Sequence, residues 1–444
     1  MYTYSAEFTD QLELFELSLP FGGKLDPQNR WIQLSSLIDW RGFEYAYGKL
    51  FSHTGRPALP ARLVIGALII KHVKGLSDEE VVEEIVENPY VQFFVGLKRF
   101  QSEVPFDDSS LSVVRKRLGE ETFAGFERVV IERLMEGKLI KPRGVQNDAT
   151  VFESELTYPT DTGLLNKARL FCVDQIRRYS KVVGKKVRTY CRVAQRSYVN
   201  FSRKRRKTKK QIRRMQKQLL QYLGRNVRQL AELIEEAAEL GHRIPRRVVE
   251  KFETIKRIYD QQREMYRERK HTIESRIVSL HKPHVRPIVR GKAGKDVEFG
   301  PKVELSYVDG YVFCDEVRFE NFNESGVFIE GIEKFRERFG KYPEHAVTDN
   351  IYGTRENRRY LKKHRIRAAV KPLGRVKQCS PEAERERRWR RQKQRERNRI
   401  EGSIGYGKRN FGLGLVRARL PETEISWIKM GLMAQNLVTA TQRM

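Results

Sequence analysis

One stretch of the sequence, Val297 to Val317, reads VEFGPKVELSYVDGYVFCDEV and decides the fold. Apolar and polar residues alternate on both sides of Asp309 and Gly310. Such alternation is typical of strands with one buried face, and an Asp-Gly pair between two alternating runs is a strong signal for a two-residue hairpin turn. The stretch therefore predicts two antiparallel strands joined at Asp309.

Helices and strands are predicted to alternate around this hairpin. After it, the pattern predicts a helix over Ser325 to Phe339, a short strand that ends at Asp349, a helix from near Thr354 and a strand in IRAAVK. An arginine-rich helix and a final apolar helix, ISWIKMGLMAQNLV, complete the chain. Before the hairpin, Arg143 to Glu153 (RGVQNDATVFE) alternates and carries β-branched residues, which predicts a further strand. This order predicts an α/β layer sandwich with mixed strands.

The first 140 residues are predicted to be helical. Apolar residues keep helical spacing after Pro60, and Ser77 with Glu80 forms a capping box that starts a second helix. The third helix carries Arg115 and Arg117. Two helices and a Gly-containing turn before a basic helix resemble a helix-turn-helix arrangement, so we expect both arginines to contact DNA. An ordinary helical bundle with a solvated basic face would explain the same pattern.

The formal net charge of +30 predicts attraction to polyanions, above all to nucleic acid. The segment from Gln175 to Ala231 contains twenty Lys or Arg residues and no Asp or Glu. A solvated helix face normally mixes both signs, so we expect this segment to contact DNA, with a solvated coiled-coil face as the alternative. The residues of its densest part that we expect to contact DNA are Arg203, Lys204, Arg205, Arg206, Lys207, Lys209 and Lys210.

Two long helices are predicted in and after this basic segment. Apolar residues keep a spacing of three or four from Leu220 to Ala237, and a similar apolar stripe runs from Val248 to Leu280, on the other side of a corner with Gly241 and Pro245. The pattern predicts an antiparallel helical hairpin whose arms each extend on the order of 50 Å. The hairpin would be inserted into the α/β core after its first strand.

The sequence disfavours several other classes of protein. Its longest apolar run, Leu63 to Ile70, is far short of the ~20 residues that span a bilayer, so a membrane surface is a weak alternative to nucleic acid. The N-terminus lacks the pattern of a secretory signal, and four scattered cysteines suit a reducing cytoplasm without disulfides or structural zinc. The chain has no G-x-x-x-x-G-K-[ST] motif, which argues against an ATP-driven motor.

Two aspartates lie where metal ions for phosphodiester chemistry could bind. A pair of Mg²⁺ ions about 3.5–4 Å apart stabilises the attacking and leaving oxygens of an in-line displacement, and Mg²⁺ prefers oxygen ligands such as carboxylates. Asp148 lies mid-strand among apolar residues, where a charge is costly unless it is paired or binds metal. Asp349 ends a strand, where active-site residues of α/β sheets commonly lie. A solvent-facing edge position for Asp148 and a capping role for Asp349 are the alternatives.

Three blocks resemble those around the acidic residues of bacterial insertion-sequence transposases of the DDE type, from insertion-sequence family five and its close relatives. These blocks are NDATVFESELTYPTDTGLLNKAR, VTDNIYGTRENRRYL and RNRIEGSIGYGKRNFGLGLVRARLPET. The stretches GRPALPARLVIGALIIKHVKGLSDEEVVEEIVENPYVQFFVG and HKPHVRPIVRGKAGKDVEFGPKV are similar to other parts of the same proteins. The resemblance covers most of the chain from about residue 50 to 440.

This resemblance implies a ribonuclease H-like catalytic core. It implies that Asp148, Asp349 and Glu401 are the catalytic residues and the ligands of two Mg²⁺ ions, which Mn²⁺ can replace. The expected fold is thus an α/β ribonuclease H-like mixed-sheet core with an inserted long α-helical hairpin, preceded by an all-α N-terminal domain. The predicted domains are a helical DNA-binding and dimerisation domain (1–140), the first part of the catalytic domain (141–174), a basic helical insertion (175–285) and the remainder of the catalytic domain (286–444).

The superfamily also has a signature, Y-x2-R-x3-E-x6-K, around its glutamate. Arg397, Glu401 and Lys408 match this spacing, whereas Gln394 stands at the tyrosine position. On a helix, Arg397 and Glu401 share a face, so Arg397 and Lys408 would hold DNA phosphates against the metal ions. A surface ion pair between Arg397 and Glu401, worth about 0.2–0.5 kcal/mol, is the alternative.

The resemblance further implies a DNA transposase, which would bind terminal inverted repeats, hydrolyse a phosphodiester bond at the end of its element and transfer the freed 3′-hydroxyl to target DNA. The expected partner is double-stranded DNA, both the terminal inverted repeats and the target. Because two ends must be held together, we expect a homodimer, located at the bacterial nucleoid. A metal-dependent nuclease that does not join ends and a DNA-binding protein with a decayed catalytic core are the alternatives.

Overall fold

The computed structural model describes residues 1–4, 15–19, 22–52, 54–292, 295–374 and 380–444. The chain forms two compact units. The first unit combines residues 1–154 with 301–444, and the second is residues 155–300. The second unit therefore interrupts the first along the chain, and it contains the whole segment 175–285 that was predicted as an insertion.

The first unit begins with helices that pack around one buried helix, α3. The helices are α1 (Arg30–Leu37), α2 (Trp40–Gly48), α3 (Ala61–Lys74), α4 (Asp78–Glu87), α5 (Pro89–Phe94), α6 (Ser109–Arg117) and α7 (Glu120–Glu136). Most residues of α3 are buried, and the helix ends at Gly75, whose φ of 73° is a conformation that glycine adopts without strain. The predicted capping box is confirmed, because Ser77 and Glu80 each accept the backbone N–H of the other, at 3.2 and 2.6 Å.

The second unit follows β1 (Gly144–Val151) along the chain and is mainly helical. Its elements are α8 (Asp161–Val183), α9 (Cys191–Ser202), α10 (Lys209–Glu239), α11 (Arg246–Glu268) and an antiparallel ribbon of β2 (Pro287–Lys292) and β3 (Lys295–Phe299). The sequence did not predict α8, and α10 packs along α8 as well as against α11. The two long helices are present, but they belong to a larger bundle, and the simple two-helix hairpin is not established.

The second long helix is shorter than the sequence predicted. Arg269 takes a φ of 56° and ends α11 after 23 residues, which corresponds to about 35 Å. A left-handed residue interrupts the helical hydrogen-bond ladder, so the apolar residues Ile273 and Leu280 lie beyond the helix. By contrast, α10 has 31 residues and extends about 47 Å, close to the expected length.

A five-stranded mixed sheet forms the second part of the first unit. Besides β1, its strands are β4 (Lys302–Val308), β5 (Tyr311–Arg318), β6 (His345–Val347) and β7 (Arg367–Ala369). They lie in the order β5-β4-β1-β6-β7, with β4 antiparallel to both its neighbours and β6 parallel to both of its own. This arrangement is compatible with a ribonuclease H-like core. The Asp-Gly hairpin is confirmed, because Val308 pairs with Tyr311 across Asp309 and Gly310, which have φ values of 47° and 97°.

Helices cover both faces of this sheet. They are α12 (Glu324–Phe339), α13 (Arg355–Lys363), α14 (Pro381–Glu396), α15 (Asn398–Asn410) and α16 (Pro421–Thr441). α12 packs so closely on β1, β4 and β5 that a Cβ on Gly331 would lie 3.3 Å from side-chain atoms of Asn147 and Asp315. On the other face, α15 and α16 share an apolar cluster with Phe152, Val303 and Leu305. α16 also packs against α3, so it joins the sheet to the helical region.

The cysteines and the apolar helices bear on two further expectations. Within the described residues, Cys172, Cys191 and Cys314 are free thiols, and Cys379 lies outside those residues. Among the helices of the described ranges, none is both long enough and apolar enough to cross a bilayer. The buried α3 has 14 residues, and its apolar character is explained by its position in the helical core.

Candidate active site

Asp148 lies on β1, and Asp349 lies just beyond the end of β6, the parallel neighbour of β1. Gly144 lies beside His345, and the pairing continues residue by residue to Gln146 beside Val347. Each aspartate lies two residues beyond the last pair of this register, Gln146 with Val347. Asp148 is half-buried and Asp349 is exposed. Both predicted aspartates thus follow paired positions of neighbouring strands.

Asp349 also begins a single 3-10 turn, Asn350–Tyr352. Its Oδ1 accepts a hydrogen bond from the backbone N–H of Asn350 at 2.5 Å. The capping role that the sequence left open for Asp349 is therefore present. The capping hydrogen bond engages one oxygen of the Asp349 carboxylate and sets the direction in which the chain leaves β6.

Asp148 lies on the face of the sheet that is covered by the helix carrying Glu401. Alternate residues of a strand point to the same face, so Asp148 shares a face with Thr150 and with Phe152 just beyond β1. Phe152 packs in one apolar cluster with α15. The Lys408 ammonium, also on α15, donates to Thr150 Oγ1 at 3.0 Å. Strand and helix are therefore packed directly against each other beside Asp148.

Glu401 lies in the first turn of α15 and forms an ion pair with Arg397. The distance from Arg397 Nη2 to Glu401 Oε1 is 2.8 Å, and the Glu401 side chain is 51% exposed. This is the surface ion pair that was the alternative interpretation of the Arg397–Glu401 spacing. An exposed i,i+4 pair of this kind contributes only about 0.3–0.5 kcal/mol, so another cation can replace Arg397 at low cost.

The three carboxylates do not form a closed metal cage. Among the described residues, no group of three or more His, Cys, Asp or Glu side chains lies close enough together to hold a metal ion. The donor set nevertheless fits a hard divalent cation, since it offers carboxylate oxygens from three separate elements. Asp148, Asp349 and Glu401 are the residues that could hold such an ion.

Lys408 is held against β1. Besides its contact with Thr150, its ammonium donates to the backbone carbonyl of Val151 at 2.8 Å and lies 5.5 Å from the centre of the Phe152 ring. The side chain is half-buried. In this structure Lys408 therefore anchors α15 to the strand that carries Asp148, and its predicted contact with DNA phosphate stays a prediction.

Gln394, which stands at the tyrosine position of the superfamily signature, connects α14 to two strand ends. Its side-chain amide donates to the backbone carbonyl of Thr348 at 3.0 Å and to that of Ala369. Thr348 is buried and directly precedes Asp349. The glutamine therefore supports the end of β6 beside the second aspartate.

Comparisons with known proteins identify the family. Residues 20–117 match the family described as Transposase domain (DUF772), and residues 346–438, which include Asp349 and Glu401, match the family described as Transposase DDE domain. An uncharacterized protein, ORF8 in the nfe locus of Rhizobium meliloti, is 36% identical over 183 residues, which are 40% of this chain and 86% of that protein. The chain belongs to the DDE transposases of insertion sequences. No solved structure matches the transposase.

Membership in this family confirms the expected class of enzyme. DDE transposases are metal-dependent enzymes that bind and cleave DNA during transposition. Asp148 lies outside both matched segments, so neither match bears on its predicted role. The narrower assignment to insertion-sequence family five stays a prediction.

The residues predicted to contact DNA differ in their surroundings. Arg115 is buried and donates two hydrogen bonds to Asp78, at 2.8 and 2.5 Å, and Asp78 also pairs with Lys71 at 3.0 Å. The sequence could not reveal this pairing, which holds Arg115 within the helical region. Its predicted contact with DNA stays a prediction. Arg117 is exposed. Exposed as well are the residues of the basic run around the start of α10: Arg203, Lys204, Arg205, Arg206, Lys207, Lys209 and Lys210.

The sequence analysis missed a buried pair, Glu304 and Tyr352, which supports the site. Glu304 lies on β4 opposite Ala149, the neighbour of Asp148, and is fully buried. The Tyr352 hydroxyl donates to its carboxyl oxygens at distances of 2.8 and 2.9 Å. Since Tyr352 ends the 3-10 turn that Asp349 begins, this pair fixes the turn to the sheet. Burial raises the pKa of Glu304 well above its ordinary value of 4.5, and the nearby charge of Asp148 adds to the effect.

The raised pKa predicts how stability depends on pH. In the folded protein Glu304 keeps its proton at pH values where the unfolded chain loses it, so the free energy of unfolding falls as the pH rises above about 4.5 and through the raised pKa. Glu304→Gln retains an acceptor for Tyr352 and cannot ionise. We expect urea denaturation of this variant to show a weaker loss of stability with rising pH. Glu330→Gln, at an exposed glutamate of α12, serves as the control. Equal pH dependence of stability in both variants would contradict the assignment.

Proposed function

We propose that this transposase cleaves DNA at the ends of its element and joins them to a target, through divalent metal ions held by Asp148, Asp349 and Glu401. The observation that supports the proposal is the parallel pairing of β1 with β6, because Asp148 and Asp349 each follow the last pair of that register by two residues. The helix that carries Glu401, α15, packs against β1. Carboxylates from two strands and a helix match the ligand needs of two-metal phosphodiester chemistry. Mg²⁺ is the ion that we propose, and Mn²⁺ can replace it.

Glu401 is the residue whose surroundings must change when the site is loaded. A bound metal ion would lower the pKa of a ligated water and offset negative charge at the reacting phosphate. Glu401 would then exchange its ion pair with Arg397 for the metal. The released Arg397 guanidinium, still one turn away, can donate two parallel hydrogen bonds to a phosphate beside the site.

The proposed reaction proceeds in two in-line displacements. In the first, a water oxygen attacks phosphorus at the element's end, the bond from phosphorus to the 3′ oxygen breaks, and the 3′ oxygen takes up a proton as the water loses one. In the second, that 3′-hydroxyl loses its proton and attacks a phosphorus of the target, and the target's own 3′ oxygen leaves and takes up a proton. Neither step needs a covalent bond to the protein.

The DNA ends would be bound as terminal inverted repeats by a homodimer at the bacterial nucleoid. Support comes from exposed basic residues in both units, namely Arg117 in the first and the run from Arg203 to Lys210 in the second. Two ends that react together require two copies of the site. These contacts and the dimer are proposals that follow from the net charge of +30 and the family.

Strand transfer separates this function from that of a simple nuclease. The full chain, with Mg²⁺, is given duplexes that carry the bracketing repeats of its own element and are already cut at the 3′ end, together with a supercoiled plasmid. We expect joined products in which the labelled end is covalently attached to the plasmid. Cleavage of uncut ends without any joined product would support the nuclease. Binding without either reaction would support the protein with a decayed core.

A further inference from the structure

A row of arginines runs along the exposed side of α14 and the first turn of α15. No residue of α14 is buried, so its side chains do not form part of a core. The members of the row are Arg385, Arg388, Arg391, Arg395 and Arg399, all of them exposed. Successive members are three or four residues apart, so they lie on one side of the helix. Arg397, between the two helices, has helical backbone angles (φ −57°, ψ −30°), so the row continues from one helix to the next.

Acidic residues compensate the basic residues on the opposite side of α14. Glu386 pairs with Arg367 at 2.6 Å and with Arg390 at 3.4 Å, and Lys393 pairs with Glu396 at 3.0 Å. The four paired residues of α14 are half-buried, and Arg367 lies on the neighbouring strand β7. The inner side of the helix is therefore nearly neutral.

The arginine row itself has no such compensation. Within the described part of the chain, no member of the row forms an ion pair with a carboxylate. Glu384 lies on the same side near the start of α14, and in the described residues no ion pair joins it to the row. A solvated helix face normally mixes both signs, and like charges one turn apart repel each other by a few tenths of a kcal/mol. A row of positive charges without carboxylate partners therefore favours the binding of a polyanion.

We propose that the arginine row binds the phosphate backbone of double-stranded DNA next to the reacting bond. The row ends at Arg399, two residues before Glu401, so DNA lying along it is led to the proposed metal site. Guanidinium groups suit this task because each can donate two parallel hydrogen bonds to one phosphate. Such contacts carry no sequence information, so the row would hold flanking or target DNA as readily as the element's own end.

A membrane surface is the other polyanion that a basic helix could meet. Helices that lie in a membrane surface bury an apolar face among the lipids. α14 offers no such face, since Trp389 packs under the Arg367 guanidinium at 3.6 Å and next to His345. The surroundings of α14 therefore favour DNA.

The salt dependence of DNA binding tests the proposal. Affinity of the full chain for a blunt mixed-sequence duplex is measured without metal, so that no cleavage occurs. Each phosphate contact contributes about 0.9 to the slope of log affinity against log salt concentration. Arg388→Gln/Arg395→Gln should make the slope less steep by about 1.8, and glutamine at all five positions by about 4.5. The matched control, Arg318→Gln/Arg336→Gln, removes two exposed arginines that pair with carboxylates at 2.8 Å, and should leave the slope unchanged.

The outcomes are distinct. An unchanged slope in the double variant, or an equal change of slope in the control, overturns the proposal. The proposal is also overturned if the double variant loses binding to phosphatidylserine vesicles but keeps its binding to DNA. Should the fivefold variant fail to fold, as judged by circular dichroism, the double variant decides. The choice of DNA rests on the proposed function, but Asp148→Asn is expected to bind with the wild-type slope. A failure of the arginine row and a failure of the metal site therefore give different results.

Discussion

Arg338→Leu is expected to lower the free energy of unfolding by about 3–5 kcal/mol, the usual cost of removing one partner of a buried ion pair. Arg338 lies on α12, and its side chain is 9% exposed. Its guanidinium pairs with the buried Asp315 of β5 and with Glu127 of α7, the latter at 2.6 Å. Leucine would fill much of the space but leave the Asp315 carboxylate buried without its cation.

The decrease in the free energy of unfolding of Arg338→Leu should depend on pH. Burial already raises the pKa of Asp315, and the Arg338 guanidinium opposes that effect. Without the guanidinium the pKa should rise further. Protonation of the folded state then removes the buried charge at low pH, so the deficit should be smallest in acid and grow as the pH rises through the raised pKa. Urea denaturation at several pH values measures both the size of this stability loss and the direction in which it changes with pH.

Arg336→Leu provides the matched control on the same helix. Its side chain is 51% exposed and pairs with Glu333 at 2.8 Å. Exposed pairs contribute at most about 1 kcal/mol, so this change should have little effect. Similar losses in the two variants would contradict the assignment of Arg338 as the buried link between α7 and the sheet.

This link reaches the strand of the proposed site. Asp315 accepts a hydrogen bond from Ser306, whose Oγ also accepts one from Asn147 at 3.3 Å. Asn147 directly precedes Asp148. Hydrogen bonds thus connect the helical region, through Arg338, with the strand that carries the first aspartate, and they help to hold that strand in place.

Much of the core could be predicted from local sequence signals. The Asp309-Gly310 turn and the helix that ends at Phe339 each depend on residues close in sequence, and the structure contains both. The short strand predicted to end at Asp349 is present but ends at Val347, because Asp349 caps the 3-10 turn that follows. The length of α11 could not be predicted, because its end depends on the left-handed conformation of Arg269, a residue type that does not signal it. The bundle around α8 depends on contacts between distant helices.

The residues of the candidate site also differ in whether the sequence could predict them. Asp148 and Asp349 could be proposed from their strand positions, whereas Glu304 looks like an ordinary polar position in an alternating strand. Its hydrogen-bond partner is 48 residues away, so only the fold reveals the pair. The partner of Arg115 is 37 residues away, so the sequence could not reveal this ion pair either.

Asp148→Asn and Glu401→Gln are expected to reduce metal-dependent cleavage by roughly a thousandfold or more. Each substitution keeps the size of the side chain but removes the charge that a divalent ion requires. Loss of several kcal/mol of transition-state stabilisation corresponds to about a factor of ten for every 1.36 kcal/mol. Both side chains are at least partly exposed, so neither change should unfold the protein.

Cleavage of DNA by these variants tests the central claim most directly. Asp309→Asn is the control, because the hairpin turn and the hydrogen bond that Asp309 accepts from the Lys141 backbone at 2.8 Å account for an aspartate at this position. The full chain and each variant are incubated with Mg²⁺ or Mn²⁺ and duplex DNA bearing the element's ends, and DNA binding is measured in parallel. We predict that Asp148→Asn and Glu401→Gln lose cleavage and retain binding, while Asp309→Asn keeps both. Wild-type cleavage rates in either carboxylate variant would contradict the proposed site.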